Sequence, residues 1–165
     1  MKTLHLLRHA KASWKKDELR DADRHLTRRG KQDCARVARA LSQSEHHFTR
    51  IYCSSARRCT ETLQRFRAES TLFDGVETTI DDALYTFDRD TLLTWLKELD
   101  NSCTAPLIIG HNPALRDLVN YLYDGEIENF STTTFITLEI NVEYWDQLRT
   151  DSAKLTEQIR PKQLR

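Results

Sequence analysis

The 165-residue chain alternates between two kinds of apolar pattern. Short runs at 4–7, 51–53 and 106–109 are bounded by polar or turn residues and have the length of buried strands. Between them lie stripes at helical spacing. Cys34, Val37, Ala38 and Leu41 follow at i, i+3, i+4 and i+7, with Thr27 as a candidate N-cap and Gly30 in the first turn. That helix is expected to end near Ser44. Ser54 and Ser55 offer capping hydroxyls for a helix over 56–66. Asp88 or Asp90 opens a third helix, with Leu92, Leu93, Leu96 and Leu99 as its stripe. Asn112 is expected to cap a fourth, with Pro113 at its first position and Leu115, Leu118, Val119 and Leu122 turned inward.

The remaining segments are weaker. Residues 10–25 are charged and aperiodic, which predicts a long loop passing over the end of the first strand. Residues 71–75 form a turn region and 76–80 a weak strand. Residues 133–140, rich in Thr and Ile, predict a strand, and Ala153, Leu155 and Ile159 predict a last one pairing back on it. Strands alternating with helices define an α/β fold: a three-layer sandwich with a mostly parallel sheet, made mixed by the final hairpin, in a single domain over 1–165.

Composition narrows the function. Lys plus Arg and Asp plus Glu both total 25, so a dedicated nucleic-acid binder, which needs a basic footprint, is excluded. The charge is uneven. Between Arg8 and Lys31 basic side chains outnumber acidic ones nine to four, and between Glu69 and Asp100 acidic ones dominate nine to two. These segments are either two solvated faces of opposite sign or a field that concentrates an anionic substrate. No apolar run is long enough for a bilayer span, so no membrane role is expected. Cys34, Cys53, Cys59 and Cys103 show no CxxC spacing, and Met1 leads straight into the first strand. Reduced, packed thiols in a cytoplasmic protein are the expectation.

The chemistry gathers at strand ends. Arg8-His9 closes the first strand, and Gly110-His111 follows the run 106–109. Ligands of α/β sheets bind beyond the carboxyl ends of strands. Arg58, in the first turn of the helix after Ser54, points to the same edge. Two arginines and two histidines around one crevice make a phosphate site. Guanidinium groups grip a dianion bidentately, helix-start amides add donors, and an imidazole can attack as a nucleophile.

In these motifs the chain resembles the histidine phosphatase superfamily, the fold shared with cofactor-dependent phosphoglycerate mutases. Within it, the small SixA-type phosphohistidine phosphatases are the nearest match. The matching residues are Leu7-Arg8-His9-Ala10-Lys11, Ser13-Trp14, Arg24 with Leu26-Thr27 and Gly30, Ser54 with Arg58 and Thr62, and Gly110-His111-Asn112-Pro113. In the expected order, they span about two-thirds of the chain. The resemblance implies that His9 is the nucleophile, forming a phosphohistidine intermediate that water hydrolyses. Arg8, Arg58 and His111 then hold the phosphoryl oxygens, with His111 protonated beside the phosphate. It implies no cofactor and no metal.

The chain departs from the family pattern at Ser55 (often Pro), Glu61 (often Gln) and His25 (within a common Arg-Pro-Leu). No motif fixes a general acid, although Asp81, Asp82 and Tyr85 lie in the region where larger members carry one. A labile P–N bond, whose imidazole leaving group takes its proton from solvent, fits that lack.

The expected function is therefore hydrolysis of phosphohistidine on a partner protein. Its rivals are a phosphatase of a small ester, such as a sugar phosphate or nucleotide, and a non-catalytic phosphate-binding module. Several conspicuous residues have plainer roles. His46-His47 reads as a solvated helix end and Arg57 as a surface arginine, with Trp95 and Trp145 as core or interface bulk. Trp14 is either a loop anchor on the core or an aromatic wall of the groove. Thr132, Thr133 and Thr134 either start a strand or put a hydroxyl or amide near the phosphate.

Overall fold

The computed structural model describes residues 1–14 and 20–165. Its strands are β1 (Lys2–Arg8), β2 (Arg50–Ser54), β3 (Thr78–Asp81), β4 (Pro106–Gly110), β5 (Phe135–Ile140) and β6 (Ala153–Ile159). They form one sheet in the order β3-β2-β4-β1-β5-β6. The first four in that order run parallel, and β5 and β6 are antiparallel additions. The helices are α1 (Arg28–Leu41), α2 (Arg57–Glu69), α3 (Arg89–Lys97) and α4 (Ala114–Leu122).

The two-residue period of the strands divides the core in two. Leu4 and Leu6 of β1, Ile108 of β4 and Ile136, Leu138 and Ile140 of β5 pack with the α3 and α4 stripes. Leu7, Ile51, Cys53, Leu107, Ile109 and Phe135 face the other way, onto α1 and α2. The result is the three-layer α/β sandwich the pattern predicts. Burying each large aliphatic side chain is worth about 1.5–3 kcal/mol, so unbroken apolar runs are what a strand covered on both faces demands.

In β6 the period-two pattern is imperfect for a local reason. Pairing with β5 shifts by one residue between Thr137 and Leu138. The shift moves Leu155 to the α3/α4 side and Ile159 to the α1/α2 side.

Two of the four helices, α1 and α3, start at a side-chain cap. The Thr27 hydroxyl accepts the Gly30 amide at 3.0 Å, and the Asp88 carboxylate, not that of Asp90, accepts the Thr91 amide at 2.8 Å. A Cβ on Gly30 would stand 2.3 Å from the Lys11 carbonyl oxygen, so the absence of a side chain lets α1 approach the loop after β1. That loop is pinned further by the Thr27 amide donating to the Lys11 carbonyl at 2.9 Å and by the bridge between Ala12 and Leu26. Part of the predicted loop, 15–19, lies outside the described residues.

Some boundaries differ from expectation. α1 ends at Leu41 rather than near Ser44, and Leu99 packs on the core from just beyond α3. α4 begins at Ala114 with Pro113 at the cap position. The Asn112 side chain instead reaches the Arg116 amide at 3.2 Å and donates to the Phe130 carbonyl at 2.7 Å. Strand β5 begins at Phe135 because Thr133 takes a left-handed backbone (φ 62°) that a strand does not permit. His46 is not a solvated helix end. It lies beyond α1, pairs with Glu157 and sits edge-on to the buried His5 ring. Trp145 is fully buried, and its indole N–H donates to the Cys103 carbonyl at 2.8 Å. Trp95 packs against Tyr52 and donates to Asp81 at 3.0 Å. All four cysteines are free and buried. No described helix is long and apolar enough to cross a membrane.

Candidate active site

Parallel pairing brings the four predicted residues together. Arg8 of β1 is level with Gly110 of β4, so His9 and His111 are the next residues of two adjacent strands. The His9 amide donates to the Gly110 carbonyl at 3.2 Å, and the two rings lie 5.3 Å apart. On the other side of β4, β2 ends at Ser54, and α2 begins three residues later. Arg58, in its first turn, is 2 % exposed and directs its guanidinium back over His111, with Nη2 donating to Nδ1 at 3.3 Å.

The hydrogen bonds assign the protons. Nδ1–H of His9 donates to the Ala10 carbonyl at 2.8 Å, which leaves Nε2 with a bare lone pair. Burial holds the His9 pKa well below its ordinary 6.5 and outweighs the Ala10 carbonyl, which raises it; His111, Arg8 and Arg58 lower it further. A neutral, nucleophilic imidazole therefore persists across the neutral range. His111 accepts at Nδ1 from Arg58, so its proton sits on Nε2 and donates to the Ser54 hydroxyl at 2.8 Å. Burial and then Arg58 push its pKa down to about 3. The expected charged His111 is thus neutral beside the bare cationic cup. A dianion among the arginines would favour its protonation.

The arginines are held by backbone. Arg8 Nη1 donates to the Phe130 carbonyl at 3.1 Å, the same oxygen that anchors Asn112. Arg58 donates to the Asp21 carbonyl at 2.8 Å and to the Asp21 carboxylate at 3.0 Å. Burial and then the neighbouring Arg58 lower the Arg8 pKa from its usual value. The Nε atoms of Arg8 and Arg58 are both buried without a protein acceptor. A buried donor left unpaired costs about 1–3 kcal/mol. The surrounding cleft has a volume of about 530 Å³ and is lined also by Lys11, Trp14, Arg24 and Arg29. Bidentate arginines, a bare imidazole nitrogen and a cationic rim can bind a phosphoryl group and attack its phosphorus.

Two features, Asp21 and Phe87, escaped the sequence patterns, and a third, the Thr133 amide, was one of two readings open for 132–134. Asp21 comes from the aperiodic loop and meets Arg58, Arg24 and the Tyr85 hydroxyl. Burial raises its pKa, but the hydrogen bonds from Tyr85 and Arg58 prevail and bring it to about 2. Phe87 meets the His111 ring edge-on at 5.3 Å. The Thr133 amide donates to the Arg8 and His9 carbonyls at 3.0 and 3.1 Å, which tightens the β1 end from the β5 side. No residue-type signal marks these contacts, because each depends on where a loop returns.

Other expectations are corrected. Ser54 does not cap α2: its hydroxyl accepts from His111 Nε2 at 2.8 Å and from the Ala56 amide at 3.3 Å, and Ala56 stands at the cap without a side-chain bond of its own. Trp14 is not anchored on the core: it is 77 % exposed, and the Arg24 guanidinium lies 3.5 Å over its ring, so it forms a wall of the cleft. Asp81 is occupied by the Ala83 amide and Trp95 indole. Among the described residues no group of three His, Cys, Asp or Glu is arranged to hold a metal ion.

Known proteins carry the same arrangement of elements. Residues 4–92 match the model of the histidine phosphatase superfamily (branch 1), and the chain belongs to that superfamily. An uncharacterised protein of Mycobacterium leprae, ML1117, is 28 % identical over 162 residues, covering 90 % of this chain and 96 % of its own. Among solved structures, the protein histidine phosphatase SixA complexed with tungstate superposes with a TM-score of 0.79 at 22 % identity, over 99 % of both chains. A chain assigned as SixA from Nakamurella multipartitia gives 0.80 at 23 % identity, over 97 % of this chain and 96 % of its own. The chain therefore has the phosphoglycerate mutase-like fold that SixA also has.

Proposed function

We propose that the chain is a single-domain, metal-independent phosphatase that hydrolyses phosphohistidine on a partner protein through a covalent intermediate on His9. The observation that carries this is the bare Nε2 of a neutral His9 beside two arginines and His111. Arg8, Arg58 and His111 hold the phosphoryl oxygens while the His9 lone pair attacks phosphorus. The P–N bond to the substrate imidazole breaks, and that nitrogen keeps the electron pair and takes a proton from solvent. Water then attacks the phosphorus, the N–P bond to His9 breaks, His9 regains its lone pair, and inorganic phosphate leaves. Charge spreads over the phosphoryl oxygens in the transition state, so fixed cations there carry most of the catalysis.

The acid chemistry favours a phosphoramidate over an ester. Only two carboxylates among the described residues, Asp21 and Asp33, line the cleft. Asp21 is ionised down to about pH 2, and Asp33 is committed to Arg36 and Arg165 at 3.0 and 2.7 Å. Asp21 is therefore no proton donor for an alkoxide at neutral pH, and Asp33 is occupied by two arginines, whereas an imidazole leaving group can take its proton from solvent. The SixA likeness supports the same substrate.

The test is a turnover panel in the presence of a chelator: a phosphohistidine protein against sugar phosphates and nucleotides. Faster kcat/KM on phosphohistidine, with no loss to the chelator, is expected. A preference for a metabolite ester would overturn the assignment.

A further inference from the structure

Beside the catalytic cleft lies a second pocket of about 410 Å³ that shares Arg8 and Asn112 with it. Its other charged lining residues are Arg116 of α4, Arg160 just after β6, and Lys162. Among the described residues no carboxylate lines it, and none forms an ion pair with Arg116, Arg160 or Lys162. Beside Arg160, Gln158 is a neutral amide whose oxygen, with the amide turned to satisfy both groups, accepts from Arg160 Nη2 at 2.7 Å and Nε at 2.9 Å.

The catalytic cleft is different: its cations are partly balanced by Asp21 and Asp33. Four cations around one uncompensated concavity repel one another, and an anion relieves that repulsion. The two pockets are also physically joined. The Phe130 carbonyl accepts from Arg8 Nη1 at 3.1 Å and from Asn112 Nδ2 at 2.7 Å, and Oδ1 of the Asn112 side chain in turn accepts the Arg116 backbone amide at 3.2 Å. A side chain entering the second pocket therefore lies next to whatever occupies the first.

We propose that this pocket is an accessory anion subsite that receives a carboxylate side chain flanking the phosphohistidine of the substrate protein. The proposal rests on the phosphatase assignment above and adds what that assignment leaves open, the local sequence of the substrate. A second phosphate on a small ligand has the same chemistry, and the test separates the two sources.

Two phosphohistidine peptides are compared, one with Asp or Glu flanking the phosphorylated residue and one with Ser, together with phosphoramidate, which reaches only the catalytic cup. The protein variants are the double Arg116→Gln/Lys162→Gln, which touches no catalytic group, and the reversal Lys162→Glu. The native protein is expected to favour the acidic peptide by about three- to tenfold in kcat/KM, the scale of two exposed charge pairs. The double variant should lose that preference through KM, and the reversal should favour the neutral peptide. Phosphoramidate turnover should stay unchanged in both, which also shows that they are folded. Equal kcat/KM on the two peptides by the native protein, or equal losses on both in the variant, would overturn the subsite while leaving the phosphatase intact. A preference for bisphosphorylated metabolites over the acidic peptide, lost in the same variant, would overturn the carboxylate assignment. No turnover of phosphoramidate or either peptide by the native protein would defeat the phosphatase assignment and the subsite with it.

Discussion

The Thr62 hydroxyl accepts the Ala10 amide at 2.9 Å and donates to the Arg58 carbonyl at 2.7 Å. One buried oxygen thus ties the peptide that follows His9 to the helical turn that carries Arg58. The Ala10 carbonyl, in the next peptide, is the acceptor that keeps the His9 proton on Nδ1. Thr62 is a positioning residue for both sides of the cup.

Thr62→Val keeps the shape and removes the hydroxyl. It should cost about 1–3 kcal/mol of stability, since the Ala10 amide is left buried without an acceptor. Loosened aim of His9 should lower kcat by about tenfold to a hundredfold, with tungstate affinity little changed and Thr62→Ser restoring most of the rate. Steady-state kinetics alongside tungstate titration check this. A loss of stability with kcat intact would leave Thr62 with a purely structural role.

Asp21→Asn separates an electrostatic from an acid role. The Asp21 carbonyl still holds Arg58 at 2.8 Å, so the guanidinium keeps its place. Removing the charge makes the cup more cationic, and tungstate affinity should rise by a few-fold at low salt, with the gain shrinking as salt screens it. Hydrolysis of phosphohistidine should continue with kcat within about threefold of native, because a group already ionised down to about pH 2 donates no proton at pH 7. A collapse of kcat in this variant would make Asp21 the missing acid.

Three buried histidines, each with a lowered pKa, should make the stability fall on the acid side. Burial lowers His5 to about 4 and His111 to about 3, and holds His9 well below 6.5. In the unfolded chain these rings take up protons near pH 6.5, before the folded chain does. The unfolded state therefore binds more protons below that pH. The stability they contribute is fully present above about 6.5 and is lost as pH falls toward 4 and below. Melting temperatures across pH 8 to 4 should be flat at first and then decline steadily below about 6.5. His5→Phe should flatten part of that decline. A curve flat down to pH 4 would show that these rings are not buried in the neutral form.

The sequence exposed the site where chemistry coincided with periodicity. Arg8, His9 and His111 stand where apolar runs stop, and Arg58 stands where a helical stripe starts, so strand ends alone bring them together. Thr27 was legible as a cap because its hydroxyl stands just before an apolar stripe at helical spacing, whereas the start of α3 was left between Asp88 and Asp90. Asp21 and Phe87 were not legible: each reaches the cup through an irregular backbone that no period encodes. Ser54 was misplaced as a helix cap because sequence cannot say which N–H groups reach one hydroxyl: it accepts from His111 Nε2 and from the Ala56 amide, which precedes the first helical residue. The solvated role given to His46 failed for a related reason, since its partner Glu157 lies on a strand far along the chain.

The most direct measurement mixes the protein with a labelled phosphohistidine protein, stops the reaction in base, where phosphoramidates survive, and locates the phosphate by peptide mass spectrometry. Phosphate on His9 during turnover, absent in His9→Ala while that variant still binds tungstate, is the predicted result. Steady release of inorganic phosphate with no adduct on His9, or with His9→Ala equally active, would contradict it.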